Sequence, residues 1–169
     1  SNFIYSNVDI TDLSALTTII KERYDAIINL GARAGVRASA DNPYIYYDTN
    51  VTGTLNLLEI SKKYEIPKFV LASTSSVYGS VNSIPYSEND LTDFPLSQYA
   101  ASKKAAETLT HTYHNLYGLD VTILRYFTVY GPAGRPDMSV MRFIKWIIEE
   151  EEIHLFGDGK QSRDFTYVG

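Results

Sequence analysis

The stretch KFVLASTSSVYG at residues 68–79 joins an apolar run to a loop that is rich in hydroxyl groups. Residues 68–72 predict a buried strand, and the serines and threonine after it predict a loop at its carboxyl end. A segment of helical period follows at residues 98–117 and ends at Gly118, a residue typical of a helix C-cap. Strand, loop and helix in this order are typical of a βαβ unit in a parallel sheet.

The same alternation extends to both sides of this stretch. Further strands are predicted at residues 3–8, 26–30, 120–126 and 153–156, and further helices from residue 11 or 12 to 23, at 43–64 and at 136–151. The apolar runs are continuous, as in strands that are covered on both faces. The sequence therefore predicts an α/β fold with a doubly wound parallel sheet. Its loops at residues 31–37, 73–79 and 128–135 should meet at one edge.

Composition excludes several classes of protein. The 169 residues are 44% hydrophobic and 21% charged, which is ordinary for a globular domain and excludes an extended disordered chain. A net charge of -5 argues against a nucleic-acid partner. No apolar run approaches the ~18 residues that cross a bilayer, and the first residues do not resemble a signal peptide, so no membrane association is expected. The absence of cysteine fits a cytoplasmic protein, and the three histidines lack ligand spacing, so no metal is expected.

Tyr99 and Lys103 form a Y-x-x-x-K motif on the predicted helix 98–117. A spacing of four residues places both side chains on one helical face. The ammonium favours the phenolate form and should lower the tyrosine pKa from about 10, which would make Tyr99 a general base. Taken alone, the pair is more often an exposed tyrosine and lysine on an amphipathic helix.

With the loop at 73–79, this motif resembles the extended short-chain dehydrogenase/reductase superfamily, the sugar-nucleotide epimerases and dehydratases. Matching segments follow in family order: LGA at 30–32, DTNVTGT at 48–54, LRYF at 124–127 and GDGKQSRDF at 157–165. The segments AGVR at 34–37 and TVYGPAGRPDM at 128–138 resemble the branch that acts on UDP-glucuronate.

The resemblance implies a Rossmann-like fold in which residues 1–130 are an NAD-binding domain and residues 131–169 begin a small substrate-binding domain. The family's glycine-rich G-x-x-G-x-x-G turn, which holds the dinucleotide pyrophosphate, does not occur in the sequence. The sequence is therefore expected to be an internal piece of a longer enzyme, truncated at the N-terminus.

The implied activity is an NAD-dependent epimerisation that interconverts UDP-glucuronate and UDP-galacturonate. In the family's cycle, the tyrosine removes the O4 proton, NAD+ takes the C4 hydride, and the hydride returns to the opposite face of the 4-keto sugar. The family's dehydratases carry Asp and Glu after the threonine, whereas Thr74 is followed here by two serines. An epimerase of another nucleotide sugar, or a catalytically silent fragment that only folds or binds nucleotide, stays an alternative.

The resemblance also implies roles for individual residues. The catalytic residues are Thr74, Ser76, Tyr99 and Lys103. The NAD-binding residues are Asp9, Ile10, Leu30, Gly31, Ala32, Thr49, Tyr99, Lys103, Tyr126 and Phe127. The residues that bind the UDP-sugar are Arg37, Thr74, Ser76, Thr128, Arg135, Arg142 and Arg163.

Structural roles compete with some of these assignments. Core packing is an alternative for Tyr126 and Phe127, and solvation at the surface is one for Arg163. If Arg135 and Arg142 are both helical, their spacing would place them on one face.

Three further expectations concern residues outside these sets. Ser73 and Ser75 are expected to satisfy backbone groups, and Asn50 to tie loops together. In the family, helices matching residues 43–64 and 98–117 pack across a homodimer as a four-helix bundle, and the same assembly is expected here.

Overall fold

The computed structural model describes residues 3–155, 157–160 and 162–169, and the chain forms two compact units, Ser1–Arg125 and Tyr126–Gly169. The helices are α1 (Leu13–Ile19), α2 (Ala38–Asp41), α3 (Tyr44–Tyr47), α4 (Gly53–Lys63), α5 (Gln98–Tyr117) and α6 (Ser139–Ile148). A π-helical turn, Asp48–Thr52, joins α3 to α4, and a 3₁₀ turn covers Ser75–Tyr78. The strands are β1 (Ile27–Asn29), β2 (Lys68–Thr74), β3 (Asp120–Tyr126), β4 (Thr128–Tyr130) and β5 (Phe165–Tyr167).

The first unit is built on a three-stranded sheet in the order β1-β2-β3. Strands β1 and β2 are parallel, with Ile27 opposite Phe69 and Asn29 opposite Leu71. The chain crosses from β1 to β2 through α4 and from β2 to β3 through α5. This arrangement confirms the predicted α/β fold with a parallel sheet, and it brings the loops after β1 and β2 to the same edge.

One face of the sheet carries the hydrophobic core of the unit. Phe69 and Leu71 of β2 are fully buried in a cluster whose other buried members are Leu16, Leu57, Leu58, Ile60, Ile66, Ala106, Tyr113 and Leu119. Burial of apolar area at roughly 25 cal/mol per Å² makes this cluster the main source of the unit's stability. The continuous apolar strands predict two covered faces, yet Ile28 of β1, which alternates with these inward-facing positions, is 64% exposed.

Helix α5 begins and ends where the sequence predicts, because both of its caps are local. Ser97 Oγ accepts a hydrogen bond of 3.1 Å from the Ala100 amide at the N-terminus. Gly118 adopts the left-handed conformation at the C-terminus, where its amide donates to the His114 carbonyl. The helix that carries the Y-x-x-x-K motif is thus fixed at both ends.

Several other predicted elements differ from the structure. Residues 3–8 and the described residues 153–155 form no strand, and Phe156 lies outside the described residues. A strand is stabilised by pairing with a neighbour, which apolar content alone does not provide. The helix predicted at 43–64 begins near Pro43 as expected but contains the π-helical turn, and the helix predicted at 136–151 is shortened to α6.

The second unit contains α6 and a two-stranded parallel sheet. In this sheet β4 pairs with β5, so that Thr128 lies opposite Phe165 and Tyr130 lies opposite Tyr167. The sequence analysis does not predict this strand pair. Within the residues that the structure describes, no helix combines the length and the apolar character needed to cross a lipid bilayer.

Candidate active site at the carboxyl end of the sheet

Tyr99 and Lys103 lie one turn apart near the N-terminus of α5. The Tyr99 ring is half-buried and packs edge-on against Tyr46 of α3, with ring centroids 6.3 Å apart. Lys103 is only 3% exposed, and burial lowers its pKa to about 8, although the Glu107 carboxylate opposes this shift. No hydrogen bond joins its ammonium to another described residue, and the Glu107 charge is the only electrostatic contribution to its pKa among them. A buried ammonium in this state is suited to hold a polar group of a ligand.

Two hydroxyl groups lie at the carboxyl end of β2. Thr74 is the last residue of the strand, and Ser76 lies in the 3₁₀ turn that follows it and contacts α5. Thr74 Oγ1 accepts a hydrogen bond from the Ser76 amide and donates one to Ser76 Oγ, both at 3.2 Å. The turn ends at Gly79, whose φ is 63°. A Cβ atom there would lie 2.4 Å from the Phe94 carbonyl oxygen, so only glycine fits without a shift of the backbone. The turn therefore holds the hydroxyls of Thr74 and Ser76 close together beside the helix of Tyr99 and Lys103.

The loop after β1 is tied to the same helix through Asn50 of the π-helical turn. Asn50 Oδ1 accepts from the Arg33 amide at 2.8 Å, and Nδ2 donates to the Arg33 carbonyl at 3.0 Å and to Ser102 Oγ at 2.9 Å. Asn50 is fully buried, so these three hydrogen bonds satisfy an amide that has no access to water. The expectation that Asn50 ties loops together is confirmed.

Ile10 and Asp9 lie beside the loop that follows β1. The Ile10 side chain fills space that Gly31 and Gly53 leave open, since a Cβ at either glycine would lie within 3.0 Å of Ile10 Cδ1. Asp9 Oδ1 accepts hydrogen bonds of 2.9 Å from the amide and the hydroxyl of Thr11. These hydrogen bonds, the backbone one first, hold the pKa of this exposed carboxyl below its usual value. Asp9 is thus an ionised acceptor at neutral pH.

The first unit holds five more predicted residues. Leu30, Gly31 and Ala32 follow β1 directly and are exposed, and Thr49 is half-buried within the π-helical turn. Arg37 precedes α2 and is exposed. The structure therefore presents the Leu30–Ala32 backbone at the edge of the sheet where β1 and β2 end.

The second unit holds the remaining predicted residues: Tyr126, Phe127, Thr128, Arg135, Arg142 and Arg163. Arg135 precedes α6 and pairs with Asp137 at 2.5 Å. Arg142 lies on α6 with its guanidinium 4.6 Å from the centre of the Trp146 ring. The condition for a shared helical face, that Arg135 and Arg142 are both helical, is not met, because α6 begins only at Ser139. Arg163 donates to the Ser162 carbonyl at 2.8 Å.

A buried carboxylate that the sequence analysis does not single out adjoins the site. Glu107 lies one turn after Lys103 on α5, accepts from Ser73 Oγ at 2.5 Å and pairs with Arg125 of β3 at 2.9 Å. Ser73 thus bonds a side chain, which corrects the expectation that it satisfies backbone groups. The spacing from Lys103 to Glu107 is visible in the sequence, whereas the partnership with Arg125 depends on tertiary structure.

Among the described residues, no three His, Cys, Asp or Glu side chains form a group that could hold a metal ion.

Comparisons with family models, curated proteins and solved structures agree on one family. Residues 3–169 match the NAD dependent epimerase/dehydratase family. The UDP-glucuronate 4-epimerase of Thermodesulfobacterium geofontis (strain OPF15) is 60% identical over 99% of this chain and 52% of its own length.

Two solved structures share the fold. The UDP-glucuronic acid 4-epimerase of Bacillus cereus, in complex with UDP-glucuronic acid and NAD, is 44% identical and superposes with a TM-score of 0.85 over 95% of this chain and 50% of its own. A UDP-glucose 4-epimerase with UDP-glucose from Thermotoga maritima is 35% identical, with a TM-score of 0.93 over 99% of this chain and 56% of its own.

The matches cover nearly the whole of this chain but only part of the length of each relative. The chain spans about half the length of the curated relatives it matches. The family match covers all but the first two residues and includes both units of the structure. The chain therefore belongs to the NAD dependent epimerase/dehydratase family.

Proposed function

We propose that the protein is an NAD-dependent nucleotide-sugar 4-epimerase that interconverts UDP-glucuronate and UDP-galacturonate by transient oxidation at C4. The observation that carries this proposal is that Tyr99 and Lys103 on α5 lie beside the hydroxyl groups of Thr74 and of the 3₁₀ turn that follows it. No carboxylate stands between residues 73 and 79, so the turn offers no acid or base for eliminating water. The 60% identity to a UDP-glucuronate 4-epimerase supports the choice of sugar.

The residues present fit NAD. Lys103 offers a buried ammonium without a hydrogen bond to a described residue, Asp9 offers an ionised acceptor, and residues 30–32 are exposed at the edge of the sheet. We propose that NAD is held by Asp9, Ile10, Leu30, Gly31, Ala32, Thr49, Tyr99, Lys103, Tyr126 and Phe127. When bound, NAD supplies the acceptor and donor of the C4 hydride.

The chain's own residues would handle the proton and the oxygen at C4. Tyr99 would accept the proton of the O4 hydroxyl as the general base, and Lys103 lies one turn away on the same helical face. The hydroxyls of Thr74 and Ser76, which already bond to each other, would donate hydrogen bonds to O4. The tyrosine, the lysine and the two hydroxyls are therefore the proposed catalytic residues.

We propose that arginines recognise the charges of the substrate. A UDP-sugar acid carries a diphosphate and a carboxylate, which planar guanidinium groups bind through two parallel hydrogen bonds. The proposed substrate-binding residues are Arg37, Thr74, Ser76, Thr128, Arg135, Arg142 and Arg163. Those of the second unit belong to the proposed beginning of a substrate-binding domain at residues 131–169, which follows an NAD-binding domain at 1–130.

We further propose a cytoplasmic homodimer, assembled through a four-helix bundle. The two long helical segments that would form it, α3 to α4 and α5, contact each other in the first unit. Exposed aromatic and aliphatic side chains on these segments, including Tyr44, Tyr47 and Leu116, would supply apolar area. Light scattering of the full-length protein should give twice the mass of one chain, and a monomer at micromolar concentration would refute the bundle.

An assay of the full-length protein with NAD+ tests the proposed function. UDP-glucuronate should be converted to UDP-galacturonate until both sugars coexist at equilibrium, as followed by chromatography. UDP-glucose and UDP-galactose serve as competing substrates, because a UDP-glucose 4-epimerase also shares the fold. If UDP-glucose or UDP-galactose is converted faster than UDP-glucuronate, the proposed substrate is wrong. No conversion of any UDP-sugar would favour a protein that only binds nucleotide.

A further inference from the structure

The carboxylate of Glu107 joins the strand that carries Thr74 to the helix that carries Tyr99 and Lys103. Glu107 is 5% exposed, and its Oε1 accepts hydrogen bonds from Ser73 Oγ at 2.5 Å and from Arg125 Nε at 3.1 Å. Its Oε2 accepts from Arg125 Nη2 at 2.9 Å. The carboxylate is thus held by β2 on one side and by β3 on the other, with all its hydrogen bonds inside the protein.

Arg125 is itself fixed on its far side. Its Nη1 donates to Tyr78 Oη at 3.3 Å and to the Glu88 carbonyl at 3.2 Å, and its guanidinium lies 5.1 Å from the centre of the Tyr78 ring. The ion pair between Arg125 and Glu107 therefore connects β3 to α5 and to the segment that follows the 3₁₀ turn. A bidentate pair with both partners anchored has a fixed geometry.

Tyr99, Lys103 and Glu107 occupy every fourth position along α5, so they form one stripe on the helix. Tyr99 and Lys103 have no side-chain hydrogen bonds to described residues, whereas Glu107 has three. The charged and titratable groups that adjoin Glu107 are Lys103 on its own helix and Arg125 on β3, with Tyr78 of the 3₁₀ turn behind Arg125. Glu107 is thus the anchored end of the stripe.

We propose that Glu107 is a positioning residue of the active site, an inference that rests on the proposed function. Through Ser73 it sets the position of the neighbouring Thr74 hydroxyl relative to Tyr99, and through its charge it keeps Lys103 in the ammonium form. A displacement of about 1 Å between reacting groups can cost 100-fold in rate, so a contact one residue away from Thr74 is enough to matter. Glu107 itself does not touch the substrate.

The two parts of this role respond to different substitutions. Glu107→Gln keeps the shape of the side chain and removes its charge, which leaves the Arg125 cation unbalanced near Lys103. The pKa of Lys103 should then fall further, by about one unit, because a nearby anion favours the ammonium and a nearby cation opposes it. Ser73→Ala removes only the hydrogen bond to the strand and leaves the ion pair in place.

The first measurement is the titration of Lys103 in the full-length protein by NMR of ¹³C-labelled lysine, with the signal assigned through Lys103→Arg. The wild-type midpoint should lie near pH 8, the Glu107→Gln midpoint about one unit lower, and the Ser73→Ala midpoint at the wild-type value. Glu59→Gln is the matched control, because Glu59 is a second carboxylate that accepts a hydrogen bond from a side chain of the protein, that of Tyr113, but it lies on α4. This variant should leave the Lys103 midpoint at the wild-type value. Equal midpoints in wild type and Glu107→Gln would overturn the electrostatic part.

The second measurement is the steady-state rate. Glu107→Gln and Ser73→Ala should each lower kcat about tenfold or more with KM changed less than threefold, since the reacting groups move while binding contacts remain. The kcat of Glu107→Gln should also begin to fall at a lower pH than that of wild type. If Glu107→Gln does not fold, Ser73→Ala decides the positioning part, and a kcat within twofold of wild type overturns it. An inactive wild-type protein would refute the proposed function instead. The Lys103 titration would still test whether the Glu107 charge raises the pKa of Lys103.

Discussion

Asn50 Nδ2 lies 2.9 Å from Ser102 Oγ, and this hydrogen bond fastens the π-helical turn to α5 between Tyr99 and Lys103. Ser102 itself donates to the Tyr99 carbonyl at 2.8 Å. The bond therefore connects the loop after β1, which Asn50 also holds through Arg33, to the backbone of the proposed base. The position of Tyr99 depends on a buried amide as well as on its own helix.

Replacement of this amide should destabilise the protein. In Asn50→Ala, the partly buried backbone groups of Arg33 and the buried Ser102 hydroxyl lose their hydrogen bonds to the amide, and each lost bond of this kind costs about 1–3 kcal/mol. The free energy of unfolding should fall by about 2–3 kcal/mol in urea denaturation. Asn115→Ala on the exposed end of α5 is the control and should change it by less than about 0.5 kcal/mol. Equal stabilities of the two variants would contradict the role of Asn50.

Removal of the Tyr99 hydroxyl should abolish the proposed chemistry without loss of NAD. In Tyr99→Phe, the ring can still pack against Tyr46, but the group that accepts the O4 proton is gone. The value of kcat should fall about 100-fold or more, as expected for the loss of a general base. Cofactor affinity, measured by fluorescence, should change little. Tyr117→Phe on the same helix should keep its activity, and full activity in Tyr99→Phe would remove this tyrosine from the role.

The buried ammonium of Lys103 should make stability depend on pH. Its pKa is about 8 in the folded protein and near 10.5 when unfolded, so the unfolded chain binds more protons between these values. Stability therefore rises with pH across this window, and below pH 8 the buried charge costs the folded state about 1–3 kcal/mol. Lys103→Met should consequently be more stable than wild type at pH 7, although inactive.

Differential scanning calorimetry at pH 7 and pH 10 checks this prediction. The difference in stability between Lys103→Met and wild type should shrink as the pH rises. Lys63→Met, which removes a lysine outside the buried set, provides the comparison and should show no such trend. A Lys103→Met protein that melts below wild type at pH 7 would mean that the ammonium stabilises the fold.

Gly79 should tolerate no side chain. In Gly79→Ala, a positive φ adds to a contact of 2.4 Å with a backbone oxygen, so the turn that presents Thr74 and Ser76 must shift. We expect a loss of about 2–4 kcal/mol in unfolding free energy and a lower kcat. Gly118→Ala shares the positive φ but meets no atom within 4 Å, so it should lose only about 1 kcal/mol. If both variants lose the same unfolding free energy, the backbone near Phe94 shifts without an energetic cost and the prediction is wrong.

Local signals explain which features the sequence predicts well. The ends of α5 are set by Ser97 and Gly118, which act within one helical turn, and β2 is predicted by its own apolar run. The Y-x-x-x-K motif lies on α5, and the hydroxyl groups of Thr74 and Ser76 lie at the end of β2. Most of the candidate site in the first unit can therefore be predicted from the sequence.

Features that depend on distant partners are not predicted. Residues 3–8 have the apolar content of a strand but pair with no strand in the described part of the chain, whereas β4 and β5 are short and pair with each other. Glu107 and Arg125 are 18 residues apart, and neither residue type indicates burial by itself. The start of the helix predicted at residue 136 is wrong for a similar reason, since α6 begins at Ser139, after the pair of Arg135 and Asp137.

The π-helical turn at Asp48–Thr52 has a consequence for insertions and deletions. A π-helical turn contains about one residue more than an α-helical turn, so it rotates α4 by roughly a quarter of a revolution relative to α3. A deletion of one residue in this turn would produce a regular α-helix of similar length while misdirecting the Asn50 amide. Homologous chains that are one residue shorter at this place should therefore lack an asparagine there and fasten the loop after β1 by other means.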